Sequence, residues 1–235
     1  SSSRRHTRCA IKSRGLGDVY KRQESAFPEI TGADELVKEK GRFAGTWFRP
    51  DADITLYNKL YLWSPVFQFR EGGKEKAGTT IEASRGDQGH YAVTDESRAK
   101  FVEVVTDTFV EVFGRSKIFE LVDEVGPDTL IAAVAMLDIV SDVPPTRPGN
   151  QDSYLAAVGE ATFLFELIDS ETGVILARFG ERQRIQPRSR MRGVSRRPAN
   201  SSTVESEVNV WADQLAEDSR RALEKAHKNA MKAKK

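Results

Sequence analysis

From Phe101 onward apolar residues recur at three- and four-residue steps, at Phe101, Val105, Thr108 or Phe109, and Val112. That spacing predicts an amphipathic helix with one wide buried stripe. Thr94 is placed to cap it, Asp95 and Glu96 lie where the helix dipole favours negative charge, and Gly114 can close it. A second stripe, Val204, Val208, Trp211, Leu215 and Ala222, predicts a C-terminal helix that starts at a capping box made by Ser202 and Glu205. Its lysine-rich end, residues 229–235, is expected to fray.

Elsewhere the pattern is that of strands. Leu56 to Phe69 is aromatic and β-prone, and Pro65 marks an edge or bulge at its middle. KIFELVD from Lys117 and TLIAAVAMLDIV from Thr129 follow. Then YLAAVGEATFLFELID from Tyr154 and GVILARFGERQRI from Gly173 flank the turn SETG. Phe163, Phe165 and Leu167 alternate with Thr162, Leu164 and Glu166, which predicts a long hairpin.

Three polar stretches interrupt the strands: glycine-rich Glu71 to His90, proline-rich Ser141 to Asn150, and basic Gln186 to Ser202. Residues 24–55 read as an extended lead-in and 56–228 as one domain. The expected fold is therefore α+β: two layers, with a mainly antiparallel mixed sheet and two amphipathic helices packed on one face.

Residues 1–23 change the composition. Gly15 and Gly17 sit among basic residues as in a phosphate loop, but no strand precedes them, and Pro28 and Gly32 break any helix that would follow. SSSRRHTRCA and SRGLGDVYKRQ look instead like translated sequencing-adapter or linker DNA of the kind met at the ends of metagenomic reading frames. The segment is read as non-native, a basic N-terminal arm being the alternative. The whole chain has 36 Lys+Arg against 35 Asp+Glu, and residues 1–23 hold seven basic residues and one acidic, so the remainder carries a net charge of −5. That balance argues against nucleic acid as a partner. Cys9 lies in the same segment, so the rest of the chain can form neither a disulfide nor a thiolate metal site.

WFRPDADITLYNKLYLWSPV from Trp47, GEATFLFELIDSETGVILARFGERQ from Gly159 and VNVWADQLAEDSRRALE from Val208 together resemble domain-of-unknown-function family 3313, bacterial envelope lipoproteins, over about residues 42–226. The resemblance implies a lipidated N-terminal cysteine and a place on the periplasmic side of a membrane, the outer membrane in particular. The anchor is expected upstream of this chain, because no apolar stretch precedes Cys9 to make it the lipid site.

Three groups of residues could carry chemistry. Ser84, Asp87 and His90 offer the residue types of a nucleophilic triad on a glycine-rich loop, which lacks the rigidity a triad needs. Asp138 with Asp142, or Glu160 with Glu166, could pair for acid–base work, although strand-end charges are the simpler account. The densest feature is basic: Arg182, Arg184, Arg188, Arg190, Arg192, Arg196 and Arg197, a candidate anion-binding cluster that makes at least one sheet face basic. No aromatic residue is interleaved with it, which argues against stacking on single-stranded nucleic acid.

No metal or cofactor is indicated. The leading expectation is a non-enzymatic accessory or interaction module of the envelope, whose partner is another envelope protein, an anionic lipid surface or a second copy of the chain. A hydrolase-like enzyme centred on His90 and an anion or nucleic-acid binder using the Arg182–Arg197 loop are the competing readings.

Overall fold

A computed structural model describes residues 31–70, 91, 93–144, 154–155, 157–186, 197–198 and 200–234. The strands are β1 (Val37–Lys38), β2 (Gly45–Phe48), β3 (Lys59–Leu62), β4 (Val66–Phe69), β5 (Glu120–Val122), β6 (Thr129–Ser141), β7 (Tyr154–Leu155), β8 (Gly159–Asp169), β9 (Ile175–Ile185) and β10 (Arg197–Pro198). The helices are α1 (Asp95–Phe113) and α2 (Ser201–Ala233). Eight strands form one mixed sheet in the order β1-β2-β9-β8-β6-β3-β5, with β4 also on β6, and β7 and β10 pair separately. The chain is thus α+β, with both helices on one face of a mainly antiparallel sheet.

The hairpin β8–β9 and its partner β6 form the middle of the sheet. Asp169 shapes the turn, accepting from the backbone N–H groups of Glu171 at 2.7 Å and Thr172 at 3.0 Å. Gly173 closes it at φ 71°, a left-handed conformation in which glycine is unstrained. Pro65 acts as its position implies: β3 and β4 both run parallel to β6, in line with each other, and the interruption between them holds the proline, which has no N–H for the ladder.

Phe163, Phe165 and Leu167 point from β8 to the helices and are fully buried with Phe109 and Phe113 of α1 and Phe179 of β9. Ring centroids lie 5.7 Å apart for Phe113–Phe165 and 5.8 Å apart for Phe165–Phe179. Trp211 of α2 stacks on Phe101 at 6.0 Å, and its indole N–H donates to Gln183 Oε1 at 2.9 Å.

Three expectations are corrected. Part of the lead-in belongs to the sheet: β2 pairs with β9, and Phe43 and Ile54 are in the core. The cap of α2 is Asn200, whose side chain accepts from Thr203 N at 2.8 Å, while Glu205 bonds Lys100 at 2.8 Å in place of closing a capping box. The lysine-rich end remains helical to Ala233, where Lys234 bonds Asp53 and Thr55. Just ahead of that end, His227 stands edge-on to Phe119 with centroids 5.4 Å apart. Thr94 does cap α1, accepting from Ser97 N at 3.2 Å.

Candidate functional site

Side chains alternate across a strand, so the residues between the core phenylalanines project from the face away from the helices. Along β8 these are Glu160, Thr162, Leu164 and Glu166, and their partners on β9 are Arg184, Arg182, Gly180 and Arg178. The sequence places a carboxylate or a hydroxyl beside each of these arginines. Arg178 bonds Glu166 at 2.6 Å. Arg182 bonds Glu160, Asp138 at 2.7 Å and Thr162 at 3.2 Å. Arg184 lies 3.5 Å from Asp142.

Asp138 reaches this face because β6 bulges between Leu137 and Val140, three residues spanning two of β8, and Asp138 itself sits at φ 53°. Regular alternation would have placed it beside Met136, which is in the core. From the bulge its carboxylate accepts two bonds from Arg70, at 2.6 and 2.5 Å, as well as the one from Arg182. The Arg70 bonds first, and Arg182 second, hold its pKa down at about 2. The guanidinium groups of Arg70 and Arg182 are shifted up in return, Arg70 by Asp138 and Arg182 by Glu160 and then Asp138.

Four arginines therefore meet four carboxylates on one face. The basic face expected from Arg182 and Arg184 is in fact charge-balanced, because its counter-charges come from other strands. Asp138 and Asp142 share the face but are taken by different arginines, as are Glu160 and Glu166, so neither couple is a carboxylate dyad. Arg188, Arg190, Arg192 and Arg196, and likewise Ser84, Asp87, His90 and Cys9, lie outside the described residues, and Arg197 is described only as backbone in β10.

The centre of the face is apolar and shaped by glycine. Ala135, Leu164, Gly180 and Gly45 form one row across β6, β8, β9 and β2. The Trp47 indole lies on Gly45, where an added Cβ would stand 2.2 Å from the ring, and extends to 3.8 Å from the corresponding position at Gly180. Lys38 places its ammonium 5.9 Å from the centre of that ring. Sequence reading alone missed this arrangement, although the glycine two residues before a tryptophan on a strand was a signal for it.

Two concavities lie elsewhere. One, at the C-terminal end of α1, is lined by Lys59, Ser116, Lys117, Phe119 and Asp128, with Lys59 bonded to Asp128 at 3.2 Å. The other is an acidic groove between the helices that includes Glu103, Asp107 and Glu111. Among the described residues no three His, Cys, Asp or Glu side chains are grouped to hold a metal, and no helix is long and apolar enough to cross a membrane.

No family model matches the chain, and no curated protein matches it. Solved structures do. A Xanthomonas campestris protein of domain-of-unknown-function family 330 is similar over 87% of this chain and 97% of its own, at 10% identity and a TM-score of 0.44. The dodecamer of a singly substituted PelC from Paraburkholderia phytofirmans is similar over 77% of this chain and 95% of its own, at 12% identity and a TM-score of 0.30. A second PelC dodecamer from the same organism is similar over 78% and 96%, at 10% identity and a TM-score of 0.32.

Proposed function

We propose that the chain is an envelope lipoprotein domain of the family 3313 type, a non-enzymatic interaction module held on the periplasmic side of a membrane and working by contact with another protein. The observation that supports this reading is the open sheet face. Its carboxylates are each bound to an arginine, and Asp138, at about 2, is too weak a base to take a proton at neutral pH. The face instead presents paired charges around Leu164 and Trp47, the composition of a contact surface with a polar rim. A balanced face also gives no general attraction for anionic lipid, which favours a protein partner.

The test starts from the source DNA, by recovering the coding sequence upstream of Trp47 and expressing the full native gene in a bacterial host. The expected result is an apolar leader ending in a cysteine that incorporates radiolabelled palmitate, with the product in the membrane fraction and accessible to periplasmic protease. A native start lacking such a leader, with the product in the cytoplasm, would overturn the proposal.

A further inference from the structure

The row Ala135, Leu164, Gly180, Gly45 and the charged rows on either side of it have a symmetry that suits one occupant. We infer that the open face of the sheet docks on the same face of a second copy, about a two-fold axis parallel to the strands and midway between β8 and β9. The inference rests on reading this face as a contact surface and is independent of the envelope assignment.

Such an axis carries β8 of one copy over β9 of the other, and β6 over β2, because the strands are evenly spaced. Residues paired in register then exchange places. Leu164 of each copy comes to lie over Gly180 of the other, and Ala135 over Gly45, where the Trp47 ring lies. A large side chain thus meets a glycine, and a tryptophan meets an alanine. On one side of that row Glu166 of one copy comes over Arg178 of the other; on the other side Arg182 comes over Thr162 and, one row further, Glu160 over Arg184, since these are the cross-strand pairs of the hairpin.

Steric and charge complementarity follow from the same register. The axis leaves Glu166 and Glu160 facing Arg178 and Arg184 of the other copy, and Arg182 facing the Thr162 hydroxyl. The two-fold axis itself fixes the register along the strands, the ion pairs add specificity, and the apolar row contributes the affinity. Beyond Glu166 the face is already covered, Ile131, Ile168 and Ile175 being buried with Leu36, Trp63 and Val125 packed on them, so β6, β8 and β9 over Glu160 to Glu166, with the four residues of β2 beside them, offer on the order of 400 Å² per copy. A total of about 800 Å² is that of a small, weak interface, and the two sheets would pack as aligned layers.

The experiment is sedimentation equilibrium on the full chain, with circular dichroism of each variant to show that it is folded. The wild type is expected to be a dimer and Leu164→Glu a monomer. Arg178→Glu puts two acids in one row and Glu166→Arg puts two arginines there, so each alone is expected to be monomeric. Mixed together, the two are expected to form a heterodimer, which separates loss of contact from loss of fold. A wild type that is still monomeric at about 0.1 mM, far above a micromolar dissociation constant, overturns the inference. So does a dimer or larger assembly that these substitutions leave unchanged, or a mixture of the charge variants that stays monomeric. None of these outcomes bears on leader, lipid or fractionation, so the envelope proposal fails or stands separately.

Discussion

Phe165 and Leu164 are adjacent on β8 and face opposite sides of the sheet, so truncating each to alanine measures the two faces on one stretch of backbone. Phe165 is completely buried, with the rings of Phe113, Phe179 and Phe163 at centroid distances of 5.7, 5.8 and 6.3 Å. Neighbours on two layers cannot collapse into the space it leaves, so Phe165→Ala should cost about 3–5 kcal/mol, toward the upper end of that range. In a domain of this size that corresponds to a fall in melting temperature of roughly 6–20 °C. Leu164 is half-buried beside Gly180 and Ala135, and Leu164→Ala should cost about 1 kcal/mol. Urea unfolding followed by circular dichroism, at a dilution where both variants and the wild type are monomeric, gives both values. Equal losses, or a larger loss for Leu164, would mean that the hairpin is packed with the other face on the helices and would refute the register on which the open face depends.

Three further results are expected. Asn200→Ala should lower stability by about 1 kcal/mol in the same assay while Ser202→Ala leaves it within a few tenths, because only Asn200 accepts from the first turn of α2. Asp138 should titrate by carboxyl NMR with a midpoint of about 2 and move up toward the ordinary range in Arg70→Met, where its main partner is gone. Its folded pKa is depressed, so its contribution to stability is complete above the unfolded value of about 4 and disappears as pH falls through about 2. His227 is shifted down by burial against Phe119, opposed by attraction to Asp53, so the unfolded chain takes up its proton first. Stability should therefore fall as pH drops below about 6.5, and His227→Gln should flatten that part of the stability–pH curve measured by thermal melts.

The elements that local pattern specifies were legible in the sequence. The hairpin shows in the strict alternation from Thr162 to Leu167 and in a turn that needs Gly173, and α1 shows in its stripe and its Thr94 cap. What the sequence concealed depends on residues distant along the chain. Arg182 looks basic until Asp138 and Glu160 are brought to it from 44 and 22 positions away. The C-terminal lysines look free to fray, yet Lys234 is tied to Asp53 across 181 positions. β2 is only four residues long and begins with glycine, too little to register as a strand without β9 beside it. The α2 cap was misplaced because Asn200 and Ser202 both suit the role, and only the observed geometry separates them.

The placement of β2 also sets an order of assembly. Ala44, at the head of that strand, donates its N–H to Glu181, 137 residues later, and the whole of β2 pairs with a strand that ends at Ile185. While the chain emerges from the ribosome, β1 and β2 have only each other to pair with until the final hairpin has been made. Contacts this remote make for slow folding. The segment made first is therefore the one that joins the sheet last, and the other side of the sheet, from β3 to β6, can pair before the edge that precedes it in the chain.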